Sequence, residues 1–436
     1  MRNLDKYNTT VSKEIVAGIT TFLTMSYIIV VNPGILSDGA GMSFAGVLTA
    51  TVLVSALSSI LMGLYANLPF ALAPGMGINA FFAFTLVKFG GVPWQTALGA
   101  VFISGLIFIL LSLFKVRRLI VEAIPLSLRR AIAGGIGLFI AFIGFQNAGF
   151  IKHNPITCVS FGGFSPQVIL FIVGLIFTVL LIIFKVKGAL LIGIIFTTII
   201  SIPVGRCPMT ENLKELVLFN GSLFTMPDFT SVFLKMDLKA AFTFGMIAPI
   251  FTFLFTDLFD SLSTFVGISQ VANMLDAKGQ PRNVGKALLV DAISTTISGI
   301  SGTSSGTTYI ESAAGVEEGG RTGLTAIVVG LLFLPFMFIS NVAAAIPSYA
   351  TAPALIVVGV YMMGGVKNIK FSDFEEGFPA FLGLILIPLT YSITQGIIWG
   401  FLAYTIIKMV RGKFKDIHWM MYVISGFSIL ALIFMN

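Results

Sequence analysis

Charge is scarce in this chain. Of its 436 residues, Asp, Glu, Lys and Arg together make up 10%, where a soluble domain carries about 25%. There is too little polar material to face water on every side. That excludes a soluble enzyme, a DNA-binding protein and a disordered scaffold. Cysteine is scarcer still: Cys158 and Cys207 are the two present, too few for a disulfide framework or a Cys-rich zinc site. They read as unpaired structural thiols. The two histidines, His153 and His418, fall outside the apolar runs, so neither a histidine metal site nor a histidine proton relay is expected within them. The first ten residues are polar and lead into no short apolar stretch with a cleavage site. The first apolar run is expected to serve as its own signal.

What the chain has in quantity is apolar sequence: 56% of the residues, with a mean hydropathy of +0.99. The apolar runs are long and continuous rather than alternating, which points to membrane helices and not to a barrel. A helix needs roughly 20 apolar residues to cross the hydrocarbon core. Runs of that kind lie at 14–33, 43–65, 95–115, 127–149, 167–185 and 187–204. After a polar stretch at 205–239 they resume at 240–266, 284–301, 322–341, 346–364, 376–390, 392–410 and 419–435. Two shorter, glycine-flanked pieces, 76–88 and 309–318, read as half-helices. The count is about fourteen segments plus a C-terminal tail segment. The net charge of +7 is spread over loops in small groups, a topology signal rather than a nucleic-acid patch. With the N-terminus (1–13) in the cytoplasm, 20 of the 26 Lys and Arg lie inside and Lys88, Lys152, Arg206, Lys214, Lys235 and Lys239 outside. The positive-inside rule therefore places the N-terminus in the cytoplasm.

The sequence also repeats itself. Thr21-Phe22-Leu23 matches Thr252-Phe253-Leu254, Gly77–Gly91 matches Gly306–Gly320, Thr96-Ala97-Leu98 matches Thr322-Gly323-Leu324, and Ile124-Pro125 matches Ile346-Pro347. The matches keep their order with slowly drifting offsets. The first unit is 14–204 and the second 240–436. With seven segments per unit, an odd number, the two copies face opposite ways. Inverted repeats with interrupted helices in corresponding places are the signature of secondary transporters, whose substrates bind at the breaks.

Chemistry concentrates at those breaks. The first reads Ala73-Pro74-Gly75-Met76-Gly77-Ile78-Asn79-Ala80-Phe81-Phe82. Proline and glycine stop a helix, and backbone freed at membrane depth must be buried in protein or line a cavity. Asn79 adds a donor and an acceptor, and Phe82 beside a cavity could stack on a flat heterocycle. The second break runs from Gly302 to Gly315. Thr307 to Ile310, with Tyr309, suits a short strand, and Glu311 opens the half-helix that follows. A helix N-terminus favours a carboxylate, and a carboxylate accepts hydrogen bonds from ring N–H groups. Asp257 and Asp260 lie three apart on one helix face. Aspartate at membrane depth marks a functional site, and a carboxyl that takes a proton from one side and releases it on the other is a coupling element. Asp291 is expected to pair with Lys286 near the interface. Glu317, Glu318 and Arg321 read as a cytoplasmic cap or gate, Glu375 and Glu376 as surface.

These motifs resemble a known family. Thr21-Phe22-Leu23-Thr24-Met25-Ser26-Tyr27-Ile28, Val31-Asn32-Pro33, Ala73–Ala80, Asp257-Leu258-Phe259-Asp260, Thr307–Val316 and Gly319–Leu324 are similar to the AzgA-like purine permeases of the nucleobase:cation symporter-2 group. The resemblance covers about 14–410. It implies the uracil-permease fold: an all-α integral membrane protein built as a seven-plus-seven inverted repeat, with short strands before the two half-helices. It implies a core domain (14–115 and 240–341) that moves against a gate domain (124–204 and 346–410). It implies proton symport of hypoxanthine, guanine or adenine, with the proton as coupling ion and no other cofactor or metal; the compact length leads us to expect a bacterial inner membrane. By family motif, Asp257 and Glu311 bind the base, Asn79 and the backbone around Ile310 complete the site, and Asp260 supports it. Gly77, Tyr309 and Phe82 join the expected substrate site, and Asp257, Asp260 and Glu311 the proton-coupling set. Expected partners are the purine, membrane lipid and a second copy of the chain through the gate domain, and no nucleic acid. Many members of the resembled family carry glycine where this chain has Ser263, which bears on pocket shape.

Three rivals follow from the residues. An anion carrier on the same fold is disfavoured by a cavity expected to hold carboxylates and no base. An intramembrane aspartyl protease needs carboxylates on facing helices, whereas Asp257 and Asp260 share one. A passive channel has no use for buried carboxyls at paired half-helices.

Overall fold

A computed structural model describes residues 7, 9–114, 123–205, 222–271, 274 and 282–434. Cys207, Arg206, Lys214 and the side chain of Ser263 lie outside this description, as do most of 1–13 and half of the 205–239 stretch. Among the described residues, eight helices are long and apolar enough to cross a membrane, and four shorter apolar helices accompany them.

The first segment is longer than its apolar run. It spans α1 (Val11–Met25) and α2 (Ile28–Ala40), which meet at a break at Ser26-Tyr27. Ser26 Oγ donates to the Leu23 carbonyl at 3.1 Å, a local bond that competes with the helical ladder. The expected boundary at Pro33 fails because Pro33 sits inside α2. Next come α3 (Phe44–Leu61), strand β1 (Leu72–Pro74) and the half-helix α4 (Met76–Ala80), which widens into π geometry over Phe81–Phe89. Helices α5 (Trp94–Leu113), α6 (Leu126–Asn147), α7 (Pro166–Ile183) and α8 (Ala189–Gly205) complete the first half. A hairpin of β2 (Ile151–Asn154) and β3 (Cys158–Phe161) joins α6 to α7 and carries the exposed Cys158. The second half follows the same plan: α9 (Ile247–Val271), α10 (Val284–Ser301), β4 (Gly306–Thr308), half-helix α11 (Ser312–Glu317), α12 (Gly323–Phe333), α13 (Ser348–Met363), α14 (Phe374–Leu389) and α15 (Ile393–Val410). The tail segment is α16 (Trp419–Phe434), packed on α15 and α9.

The duplication is visible in the packing. Helix α1 packs on α12, and its counterpart α9 packs on α5. Likewise α3 meets α12 as α10 meets α5, and α7 meets α8 as α14 meets α15. Helices α6 and α13 pack on each other, as do β1 and β4. Every one of these contacts maps onto another, or onto itself, when the halves are exchanged. The antiparallel pairing of β1 with β4, Leu72 facing Thr308 and Pro74 facing Gly306, is what two inverted copies produce on their common axis.

The register of the repeat differs from the glycine match. Structure aligns Leu72 with Gly306 and the start of α4 with the start of α11, so Gly77 is not the counterpart of Gly306. The two glycine-rich breaks are similar in composition, and short matches anchored on glycine slip by several residues.

Candidate functional site

Two short strands replace helix where the halves meet. Their backbone groups are satisfied across the pair and by side chains around it: Gly75 N–H donates to Ser305 O at 2.9 Å and Tyr309 N–H to Ala71 O at 3.0 Å. Ser59 Oγ accepts from Leu72 N–H at 2.9 Å, and Ser312 Oγ accepts from Ala71 N–H at 3.0 Å. Irregular backbone is thus paired inside protein, the condition under which it persists at membrane depth. The crossing is tight. A Cβ at Gly75 would lie 2.5 Å from Thr307 Cγ2, and one at Gly77 would collide with Ile136 Cγ2 on α6.

Beside the crossing lies a cavity of about 590 Å³, within the range of small-molecule sites. One wall is built from the breaks: Gly75, Met76 and Gly77 from the first, and Thr307, Thr308, Tyr309, Ile310 and Glu311 from the second, with Tyr27 and Asp260 beside them. The other wall is α6 and the end of α13, including Arg129, Arg130 and Tyr361. Glu311 sits at the N-terminus of α11, and its Oε1 accepts from Tyr27 Oη at 2.8 Å. Tyr309 Oη donates to the Pro74 carbonyl at 2.5 Å, which ties the second break to the first. The wall presents carboxylate acceptors and aromatic faces, suited to a flat molecule with N–H groups on its edge.

Of the residues expected to meet substrate, Gly77, Tyr309, Ile310 and Glu311 line this cavity, and Asp260 joins them. Asn79, Asp257 and Phe82 do not. Phe82 is fully buried against Phe253, so its ring packs in the core instead of facing a heterocycle. Asn79 accepts from Ser304 Oγ in the loop before β4. Asp257 is 1% exposed and accepts from Thr295 Oγ1 on α10. A helix turn explains the difference: three residues place Asp257 and Asp260 on neighbouring but distinct directions, one toward α10 and one toward the cavity.

The expected place of Asp291 is near the interface, paired with Lys286. The residue is fully buried and accepts from Ser261 Oγ and, at 3.2 Å, from Thr308 Oγ1. Ser261 and Thr307 hydroxyls meet at 2.8 Å. Asp291 therefore clamps β4 to α9. The signal available in sequence was the apolar run around it, which outweighs a lysine five positions away. Glu318 pairs with Lys187 at 2.8 Å, and Arg321 Nη1 donates to Val316 O and Gly320 O. Glu375 gathers Lys408, Arg411 and Lys413 at 2.8 to 3.0 Å.

The expectation of a cavity without basic residues is overturned, since Arg129 and Arg130 line it. Both stand near the start of α6, in a run that sequence placed at a loop edge; the tertiary packing turns that edge into a wall. The charge argument against an anion carrier fails with it. Among the described residues, no group of three or more His, Cys, Asp or Glu side chains could hold a metal ion.

Residues 12–399 match the family model described as Permease family (Xan_ur_permease). The chain is 44% identical to the "Putative permease MJ0326" of Methanocaldococcus jannaschii, over 99% of this chain and 97% of that protein. It is 43% identical to the "Guanine/hypoxanthine permease PbuO" of Bacillus subtilis, over 96% of each. With the "Adenine permease AdeP" of Escherichia coli it shares 42%, over 99% and 95%. The fold is similar to that of the transmembrane domain of the cyanobacterial bicarbonate transporter BicA, with a TM-score of 0.65, 14% identity, and 89% and 97% coverage. A sequence match of that length to a transporter family also removes the protease reading. The chain belongs to this permease family and is a multi-span membrane transporter.

Proposed function

We propose that the chain takes up purine nucleobases across the cytoplasmic membrane, coupled to protons, by alternating access. The observation that carries this reading is the cavity at the strand crossing. Its wall offers the acceptors Glu311 and Asp260, flanked by Tyr27 and Tyr309, to a ligand whose edge donates N–H bonds. The names of the relatives support the cargo: guanine and hypoxanthine for one, adenine for another.

In this reading Glu311 binds the base and Asp260 stands beside it as proton carrier. Asp291 holds β4 from behind, Asn79 holds the loop before it, and Asp257 ties α9 to α10. The core domain, 14–115 with 240–341, shifts against the gate domain, 124–204 with 346–410. The cavity reaches the start of α6 and the end of α13, the ends that the positive-inside rule puts in the cytoplasm, so this is the inward-facing state. The N-terminus is cytoplasmic, and two copies associate through their gate domains.

The test is uptake of radiolabelled hypoxanthine, guanine, adenine, xanthine and uracil by a bacterium without nucleobase permeases of its own, with and without a protonophore. Protonophore-sensitive uptake of one or two purines is the expected result. Arg129 and Arg130 favour a second reading, an anion carrier. Uptake of small anions and of no base, with the protein present in the membrane, would select it.

A further inference from the structure

The cavity lies at the start of α6; at the other end of α6 the two domains are joined by Tyr391. This residue stands in the turn between α14 and α15, with a φ of 55°. A left-handed backbone is unusual for a bulky residue and suits glycine better. On the gate side, Tyr391 Oη donates to Gln146 Oε1 at 2.8 Å. Phe139 and Phe142 of α6 meet its ring edge-on, with centroids 4.9 and 5.9 Å away. On the core side, Phe84 and Phe89, in the π-helical end of the first half-helix, meet the same ring at 6.4 and 5.0 Å. Thr85 Oγ1 between them donates to the Tyr391 carbonyl at 2.7 Å. One gate residue thus carries a hydrogen bond and two aromatic contacts to the core, at the end of α6 opposite the cavity.

The duplicated plan supplies a comparison. The turn between α7 and α8 is the counterpart of this one and repeats its hydrogen bonds. Lys185 N–H donates to Ile182 O as Tyr391 N–H does to Pro388 O, and Val186 N–H to Leu181 O as Ser392 N–H to Ile387 O. Lys185 also has a left-handed backbone, with a φ of 56°. Tyr391 and Lys185 therefore hold equivalent positions on opposite faces of the membrane. Lys185 is exposed and has no ring to offer. Its turn reaches the core through Lys187 and Glu318, 2.8 Å apart with Lys187 half-exposed, and such pairs contribute little. With identical halves, exchanging them would convert the inward-facing carrier into the outward-facing one, and the two would have equal energy. The unequal turns break that balance.

We infer that Tyr391 and Thr85 form a latch on the outer face that makes inward-facing the resting orientation of the empty carrier. This rests on the reading of the cavity as the inward-facing nucleobase site. To face outward, the core must draw Phe84, Thr85 and Phe89 away from Tyr391, and the exchanged arrangement offers Lys185 in place of the ring. A ligand that needs a sparsely populated state binds more weakly in proportion to that population. The latch therefore raises KM at the outer face and not at the cytoplasmic one.

Uptake of radiolabelled hypoxanthine in right-side-out and inside-out membrane vesicles tests this, at equal pH on both sides and normalised to the amount of protein in the membrane. Thr85→Val removes the donor at similar volume and is expected to lower KM at the outer face about threefold, the scale of one hydrogen bond. Tyr391→Gly removes the ring and suits the left-handed backbone; it is expected to lower outer KM about three- to tenfold, the scale of two aromatic contacts. In both variants KM at the cytoplasmic face stays equal or rises. Thr85→Ser keeps the donor and is expected to match the parent. An outer KM unchanged or raised in either variant would overturn the inference, as would a fall by the same factor at both faces or a serine variant that behaves like the valine one. Should Tyr391→Gly fail to reach the membrane, Thr85→Val decides alone. Absence of base uptake by the parent chain would instead overturn the nucleobase reading beneath the latch.

Discussion

Glu311→Gln probes the site with an almost unchanged shape. In the parent, Glu311 Oε1 accepts from Tyr27 Oη at 2.8 Å, which leaves Oε2 and the remaining lone pairs for a base. Glutamine has one oxygen and one NH₂ group. If its oxygen keeps the Tyr27 bond, its NH₂ faces the N–H edge of the base, donor against donor. Two losses then combine. A hydrogen bond to a charged group is worth about 1.5–3 kcal/mol, and an unsatisfied buried donor costs about 1–3 kcal/mol. Allowing for overlap, the loss is about 3–4 kcal/mol, between a hundredfold and a thousandfold in affinity. Adding Tyr27→Phe releases the amide oxygen to turn toward the base. The double variant is expected to recover about tenfold of the loss, roughly 1.4 kcal/mol. The assay is uptake of radiolabelled hypoxanthine over a wide concentration range, with membrane abundance measured for each variant. Glu311→Gln within threefold of the parent KM would remove Glu311 from the site. A double variant no better than the single one would refute the assignment of the Tyr27 bond.

Three further outcomes are expected. Phe82→Ala empties core space against Phe253 and should cost about 3–5 kcal/mol of stability, read as a lower thermal transition of the purified protein, while protein that reaches the membrane keeps its KM; a raised KM would return Phe82 to the site. Glu14 is fully buried, and its carboxylate accepts from Arg321 N at 2.9 Å, Thr322 N at 3.1 Å and Thr325 Oγ1 at 2.6 Å, capping α12 from a different helix. Glu14→Ala orphans those donors and should cost about 3 kcal/mol or more, with Glu14→Gln recovering part; equal melting of the alanine variant and the parent would contradict it. In the loop before α9, hydrogen bonds from Ser231 and Thr230 hold the Asp228 carboxyl at about 2, below its ordinary value of 3.8. A lowered folded-state value means that the stabilisation is present above pH 3.8 and is lost as pH falls toward 2. Asp228→Asn should therefore flatten the acid dependence of thermal unfolding in that window, and an unchanged acid limb would count against it.

Much of this protein was legible because a membrane imposes one-dimensional rules. Apolar run length sets a span, and glycine and proline at membrane depth set the breaks, so the fourteen segments and both half-helices follow from residues such as Pro74, Gly75 and Gly306. Glu311 was legible as a cavity residue because it stands at a break in the helix, next to the strand, where the half-helix N-terminus also favours a carboxylate. The register of the repeat was not legible, because short matches between glycine-rich breaks slide at little cost.

Sequence alone thus determined the spans, the doubled plan and the breaks that interrupt it. Tertiary structure decided which polar groups share a space. Asp257 and Asp260 are the same residue type three positions apart, yet α10 claims one and the cavity the other. Asp291 is drawn to β4 by two hydroxyls distant in sequence, and Arg129 becomes a cavity wall only when α6 packs beside the half-helices. The physical reason is one of range. Hydropathy acts on each segment separately, whereas hydrogen bonds and charge act over a few ångströms between side chains, and their partners are chosen by how the helices turn and cross.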